Sequence, residues 1–177
     1  SLVCFLSYCL ILFSLVTTNM SSFNLEANSL ASKWEKTENT SARLISASTA
    51  LGSSELHRFG LQFKLKPNWK IYWRSPGDAG FPPSIDWSKS KNLANTVLKW
   101  PAPLRFSLSG IDTIGYKNQV VFPISIKTLS NTKELELNAK INYLACNKIC
   151  IPYDAHLNLT IPPGEKVATK SSATISQ

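Results

Sequence analysis

Leu135-Glu136-Leu137-Asn138-Ala139-Lys140-Ile141-Asn142-Tyr143-Leu144-Ala145-Cys146-Asn147-Lys148-Ile149-Cys150-Ile151-Pro152-Tyr153-Asp154-Ala155-His156-Leu157-Asn158-Leu159-Thr160-Ile161 is the stretch from which the fold is read. Ahead of the cysteines, Leu135, Leu137, Ala139, Ile141 and Tyr143 recur at every second position, and after them Ala155, Leu157, Leu159 and Ile161 do the same. A period of two places alternate side chains on one face, the sign of half-buried strands. Two such runs joined by a short link form a hairpin with Cys146 and Cys150 at its tip. On one extended strand these residues would lie roughly 13 Å apart at about 3.3 Å per residue, whereas a disulfide needs Cα atoms within about 7 Å. The chain must therefore turn or coil between them. A bridge here closes so short a loop that the chain-entropy relation assigns it about 2 kcal/mol, against roughly 5 kcal/mol for a loop of about 100 residues. As a staple it is weak.

Working outward, Val120, Phe122, Ile124 and Ile126 alternate, and Lys117-Asn118 ahead of them reads as a hairpin turn with Tyr116 leading in. Val97, Leu98 and Trp100 precede Pro101-Ala102-Pro103, which ends pairing. Ile85 and Trp87 open another strand, with Ser88 to Asn92 as a polar turn. Leu61, Phe63 and Leu65 alternate until Pro67-Asn68 breaks the run, Ile71 and Trp73 resume it, and residues 42–51 read as a first strand. Ser75-Pro76-Gly77-Asp78-Ala79-Gly80-Phe81-Pro82-Pro83 holds two Gly and three Pro in nine residues and is expected to be a loop. The count is seven to nine short strands, with no segment of helical period longer than about ten residues. That pattern predicts an all-β single domain, an immunoglobulin-like β-sandwich, with a jelly roll or barrel as the alternative. The cysteine spacing does not match the intersheet bridge of antibody domains, so strand count alone carries this expectation.

The flanks differ in composition. No charged residue precedes Glu26, and Ser1 to Val16 runs through Leu2, Val3, Phe5, Leu6, Leu10, Ile11, Leu12, Phe13 and Leu15. Residues 1–20 therefore read as a signal peptide, or as an N-terminal anchor giving membrane association, with the recorded start truncated because an initiator Met and a basic n-region are lacking. A run of about 15 apolar residues is short for a span, which takes roughly 20. Cys4 and Cys9 lie in this run, leaving Cys146 and Cys150 as the pair of the exported chain. Residues 21–41 read as a polar linker, 42–163 as the domain, and 164–177, rich in Ser, Thr and Lys, as a disordered tail or linker. Nineteen Lys and Arg against eleven Asp and Glu give a net charge of +8 in 177 residues. The basic residues are scattered rather than set in a stripe interleaved with aromatics, which argues against nucleic-acid binding.

Two cysteines at a hairpin tip admit three readings. An accessible thiolate with a second sulfur in reach can exchange disulfides, and Lys148 between them would favour the thiolate by its charge. A permanent disulfide tidying a loop in a passive interaction domain is the bland alternative. A Cu(I)-thiolate carrier is the third, since two soft ligands suit copper. A zinc site would need four ligands, and the only histidines are His57 and His156, the latter expected on a solvent-facing strand position. No cofactor is expected, and no Ser/His/Asp set, phosphate-binding Gly-rich loop or acidic pair suggests hydrolysis or phosphoryl transfer. Trp69, Tyr72, Trp73, Trp87 and Trp100 are expected in the core rather than on a recognition surface.

The segments Asn68-Trp69-Lys70-Ile71-Tyr72-Trp73-Arg74-Ser75-Pro76-Gly77-Asp78-Ala79-Gly80, Pro82-Pro83, Asp86-Trp87, Trp100-Pro101-Ala102-Pro103, Gly115-Tyr116, Val121-Phe122-Pro123 and Tyr143 with Cys146-Asn147-Lys148-Ile149-Cys150-Ile151-Pro152 together resemble the N-terminal periplasmic domain of DsbD-type and ScsB-type disulfide reductases. The resemblance spans roughly residues 42–163. It implies an immunoglobulin-like domain in the bacterial periplasm whose cysteine pair cycles between dithiol and disulfide. Such a domain takes electrons from a membrane-embedded or thioredoxin-like donor and passes them to exported thiol proteins, cytochrome c maturation among its contexts. Carried over, it makes Cys150 the exchanging sulfur and Cys146 the resolving one, although the cysteines of the DsbD branch are further apart. Lys148, Pro152, Tyr72, Asp78 and Phe81 become supporting candidates, with Pro76 to Pro83 as a loop shielding the disulfide and Asp78 or Tyr72 touching the sulfurs.

Overall fold

A computed structural model describes residues 29–108 and 110–175. The expected signal or anchor, residues 1–20, lies outside the described residues. Among the described residues eleven strands form two sheets, with every strand pairing antiparallel. They are β1 (Glu35–Lys36), β2 (Thr40–Ser46), β3 (Leu56–Leu65), β4 (Lys70–Gly77), β5 (Ser84–Asp86), β6 (Leu93–Leu98), β7 (Leu104–Leu108), β8 (Ile111–Lys117), β9 (Gln119–Thr128), β10 (Leu135–Cys146) and β11 (Cys150–Ile161), followed by the short helix α1 (Ser171–Ile175). The five-stranded sheet runs β1-β2-β3-β9-β6, and the six-stranded sheet runs β11-β10-β4-β8-β7 with β5 on β10. This is an immunoglobulin-like β-sandwich in one domain. β1 has two residues, too few for alternation to reveal, and β5 is the strand expected from Ile85, three residues long.

The inward faces meet on aromatic rings. Phe122 from the five-stranded sheet packs edge-on against Tyr116 (5.1 Å) from the six-stranded one, against Phe63 (6.0 Å), and against Trp100 (5.3 Å). Phe63 in turn meets Tyr143 of β10 at 4.9 Å. Such edge-to-face pairs add about 0.5–1.5 kcal/mol each beyond the area they bury. Tyr143 is buried and shares a 2.6 Å hydrogen bond with Thr40 Oγ1 across the sandwich. Trp69, Trp73, Trp87 and Trp100 are half-buried and pack against this core.

Three connections differ from the sequence reading. Lys117-Asn118 is not a hairpin turn: β8 pairs within the six-stranded sheet and β9 within the five-stranded one, so the chain crosses between sheets there. Asn118 takes φ 62°, and its carbonyl accepts from Leu65 N at 2.7 Å. The described part of the polar linker, residues 29–41, lies on the domain instead of standing off it. Ser46 N donates to Leu30 O and Ser32 N to Leu44 O, and the Trp34 ring packs against the Arg43 guanidinium (4.4 Å to the ring centre) and the Lys64 ammonium (5.0 Å). The segment expected as a tail also docks, through a bridge between Ser48 and Ala168 and through Ile175 of α1, which is buried against Ile45, Ala47 and Val121. Gly60 makes this seat, since a Cβ there would meet Val121, Ile175 and Ile45 at 2.7–3.1 Å.

Candidate functional site

The β10–β11 ladder keeps one register from Leu135↔Ile161 to Cys146↔Cys150. Leu135, Leu137, Ala139, Ile141, Tyr143 and Ala145 point into the core, so parity puts Cys146 on the opposite, outer face of the six-stranded sheet. Cys150 faces the same way, because directly opposed residues share a face. Asn147, Lys148 and Ile149 turn the chain, with Asn147 N donating to Ile149 O at 2.9 Å. The turn brings the cysteine Cα atoms to 4.1 Å, and their sulfurs form a disulfide.

The two halves of the bridge have different surroundings. Cys146 is buried at 1 % exposure, whereas Cys150 is exposed. Tyr72 of β4 lies on this outer face with its hydroxyl 3.9 Å from Cys150 Sγ. Burial, at 2 % exposure, pushes the Tyr72 phenol above its ordinary value, so it stays a neutral hydroxyl. Gly80 closes over that ring: it has φ 96°, and a Cβ on it would lie 2.4 Å from the ring carbons. Only a residue without a side chain can make this approach at that φ.

Asp78 does not serve the sulfurs through its hydrogen bonds. Its Oδ2 accepts from Asp112 N at 2.8 Å, and its own N–H donates to Asp112 O at 2.9 Å. The Asp112 carboxylate is held by Arg105 and Ser107, which keeps its pKa below the usual range. Asp78 thus ties the loop to the β7–β8 hairpin. Phe81 is exposed at 42 % and Ile149 at 65 %, leaving two large apolar side chains uncovered, one on this loop and one in the cysteine turn. Lys148 is exposed in the same turn, and Pro152 is exposed opposite Leu144 on β11, an edge strand, the place in a sheet where proline is tolerated.

Sequence reasoning missed Lys70, Phe106 and Lys117. Lys70 is the register partner of Cys146 on β4, and Lys117 is the partner of Lys70 on β8. Lys70 Nζ donates to Thr113 Oγ1 at 2.7 Å and sits 5.1 Å from the Phe106 ring centre; burial lowers its pKa. The alternation of Leu104, Phe106 and Leu108 ahead of Gly110 was a usable hairpin signal for Phe106. Nothing in local spacing reports a pairing between Cys146 and Lys70. His156 is exposed on β11 and His57 is buried on β3, and among the described residues no three of His, Cys, Asp and Glu gather as a metal site would need.

The family model described as thiol:disulfide interchange protein DsbD, N-terminal, matches residues 41–162. The chain belongs to this family. Among solved structures it is similar to the N-terminal periplasmic domain of ScsB from Proteus mirabilis, with TM-score 0.66 and 29 % identity over 85 % of this chain and 58 % of that one. The chain thus spans under two thirds of that structure. The reduced DsbD N-terminal domain of Neisseria meningitidis overlays at TM-score 0.39 with 8 % identity, over 73 % of this chain and 90 % of that one. Comparison with curated proteins gives no match. Membership of the family makes this a thiol-disulfide exchange module. Among the described residues no helix is long and apolar enough to cross a membrane.

Proposed function

We propose that this domain relays electrons in the periplasm, taking them from a membrane-embedded or thioredoxin-like dithiol and delivering them to exported proteins with disulfides. In the delivering half-cycle the Cys150 thiolate attacks a substrate disulfide, forming a mixed disulfide and expelling one substrate thiolate. Cys146 then attacks Cys150 Sγ, the mixed bond breaks, the second substrate thiolate leaves, and the Cys146–Cys150 bond forms. Two electrons pass to the substrate, whose two sulfurs take up protons. In the loading half-cycle a donor thiolate attacks Cys150 Sγ, Cys146 departs as thiolate, and the donor's second thiol resolves the intermediate.

The observation that carries this reading is the asymmetry of the bridge, with Cys150 exposed and Cys146 buried behind it. Exchange needs one sulfur open to attack and a second held within reach. Equilibration with glutathione buffers followed by thiol trapping gives the reduction potential. A value between about −180 and −270 mV, the range of exchange proteins, supports relay, and one below about −300 mV marks a structural bridge. Cys146→Ala should accumulate a mixed disulfide through Cys150; trapping only through Cys150→Ala inverts the order of the two sulfurs.

A further inference from the structure

Beside the disulfide, on the outer face of the six-stranded sheet, lies a cleft of about 290 Å³. Its walls include Trp69, Lys70, Phe106, Lys117, Cys146 and Asn147, and no carboxylate lines it. The register explains its charge. Cys150, Cys146, Lys70 and Lys117 are successive partners across β11, β10, β4 and β8. Antiparallel partners share a face at strand spacings of about 4.8 Å, so the two lysines stem from points about 5 and 10 Å from Cys146 along one row. Lys70 is held by Thr113 and Phe106, and Lys117 is exposed. The result is a short basic track with aromatic walls that starts at the reactive bridge.

We propose that this cleft receives a carboxylate side chain of the exchanging polypeptide, so that partners carrying Asp or Glu within a residue or two of the reactive cysteine are preferred. The proposal rests on the exchange reading above and adds a selectivity to it. A partner seated on Cys150 presents its neighbouring residues to the row of partners next to it. An acidic side chain there meets two lysines and no lining carboxylate, and the Asp112 carboxylate behind Ser107 of the wall is already paired with Arg105. Charge complementarity at such a rim acts mainly on the association step and weakens with salt.

The test uses two single-cysteine peptides differing only in Glu or Gln on both sides of the cysteine, each reacted in excess with the oxidised domain. In the step measured, the peptide thiolate attacks Cys150 Sγ, the new S–S bond forms as the Cys146–Cys150 bond breaks, and Cys146 leaves as thiolate and is protonated. Mass spectrometry follows the mixed disulfide. Comparing wild type with variant for each peptide cancels the peptides' own thiol acidity. Lys70→Gln/Lys117→Gln should lower the Glu-to-Gln rate ratio by about three- to tenfold at low salt, the effect of two partly screened ion pairs. Lys70→Arg/Lys117→Arg should restore it, which separates charge from folding. Lys99→Gln/Lys133→Gln, with the same net charge removed outside the cleft, should leave the ratio higher than the cleft variant does. An unchanged ratio in Lys70→Gln/Lys117→Gln, or an equal fall in both glutamine variants, overturns the cleft. Failure of both peptides to form a mixed disulfide overturns the exchange reading and this proposal with it.

Discussion

Replacing Gly80 by Ala should loosen the contact through which the proline-rich loop reaches the disulfide. Two strains meet at this position, and movement of the loop or the ring relieves most of the second. The residue sits at φ 96°, where an L side chain is strained by about 1–3 kcal/mol. Its new Cβ would also lie 2.4 Å from the Tyr72 ring, below any tolerated contact, and the ring is too buried to swing aside freely. The loop must therefore lift or Tyr72 must move, and either motion disturbs the hydroxyl now 3.9 Å from Cys150 Sγ. We expect a loss of about 1–3 kcal/mol by urea denaturation, a fall in Tm of about 3–9 °C at roughly 3 °C per kcal/mol, and faster reduction of the folded domain by a phosphine reductant, followed by alkylation and mass shift. A variant that loses this stability yet is reduced at the wild-type rate would refute the idea that the loop guards the bridge through Tyr72. A variant of unchanged stability would refute the packing argument itself.

Two further substitutions probe the scaffold. Tyr143→Phe removes the buried 2.6 Å bond to Thr40 Oγ1 and should cost about 1–2 kcal/mol in denaturant unfolding; a change under about 0.5 kcal/mol would mean that the bond contributes little across the sandwich. His57 is buried with Nδ1 unpartnered, and burial, then the nearby Lys166, lower its pKa below the unfolded value of about 6.5. Below that value the unfolded chain binds the extra proton, so His57 makes stability fall with pH between about 6.5 and its folded pKa, by up to about 1.4 kcal/mol per pH unit. His57→Gln should flatten the slope of unfolding free energy between pH 7.5 and 5.5, and an unaltered slope would exclude His57 as its source.

The hairpin from Leu135 to Ile161 was legible because its two alternating runs are adjacent in the chain, so pairing and register follow from one turn. Alternation says which residues face inward but not which sheet a strand joins, and for that reason Lys117-Asn118 looked like a hairpin and is a crossing between sheets. The docked C-terminal segment was hidden for another reason: its main apolar anchor is Ile175, whose seat is an absent side chain at Gly60. At the site, the cysteines announced themselves, while Tyr72 meets Cys150 across 78 positions of sequence and Lys70 meets Cys146 only through strand pairing.

That division bears on how the bridge can work. Its short loop gives the disulfide only about 2 kcal/mol of stabilisation by chain entropy, whereas twelve register pairs hold β10 against β11 and Cys146 is also paired to β4. The ladder, not the S–S bond, keeps the tip closed. Reduction should therefore leave the two thiols facing each other at the end of an intact hairpin, the arrangement that the proposed order, Cys150 attacking and Cys146 resolving, requires. A longer-looped staple would resist opening because opening it would release much more chain. Here the weakness of the bridge as a staple is what allows it to open and close without disturbing the sandwich that carries it.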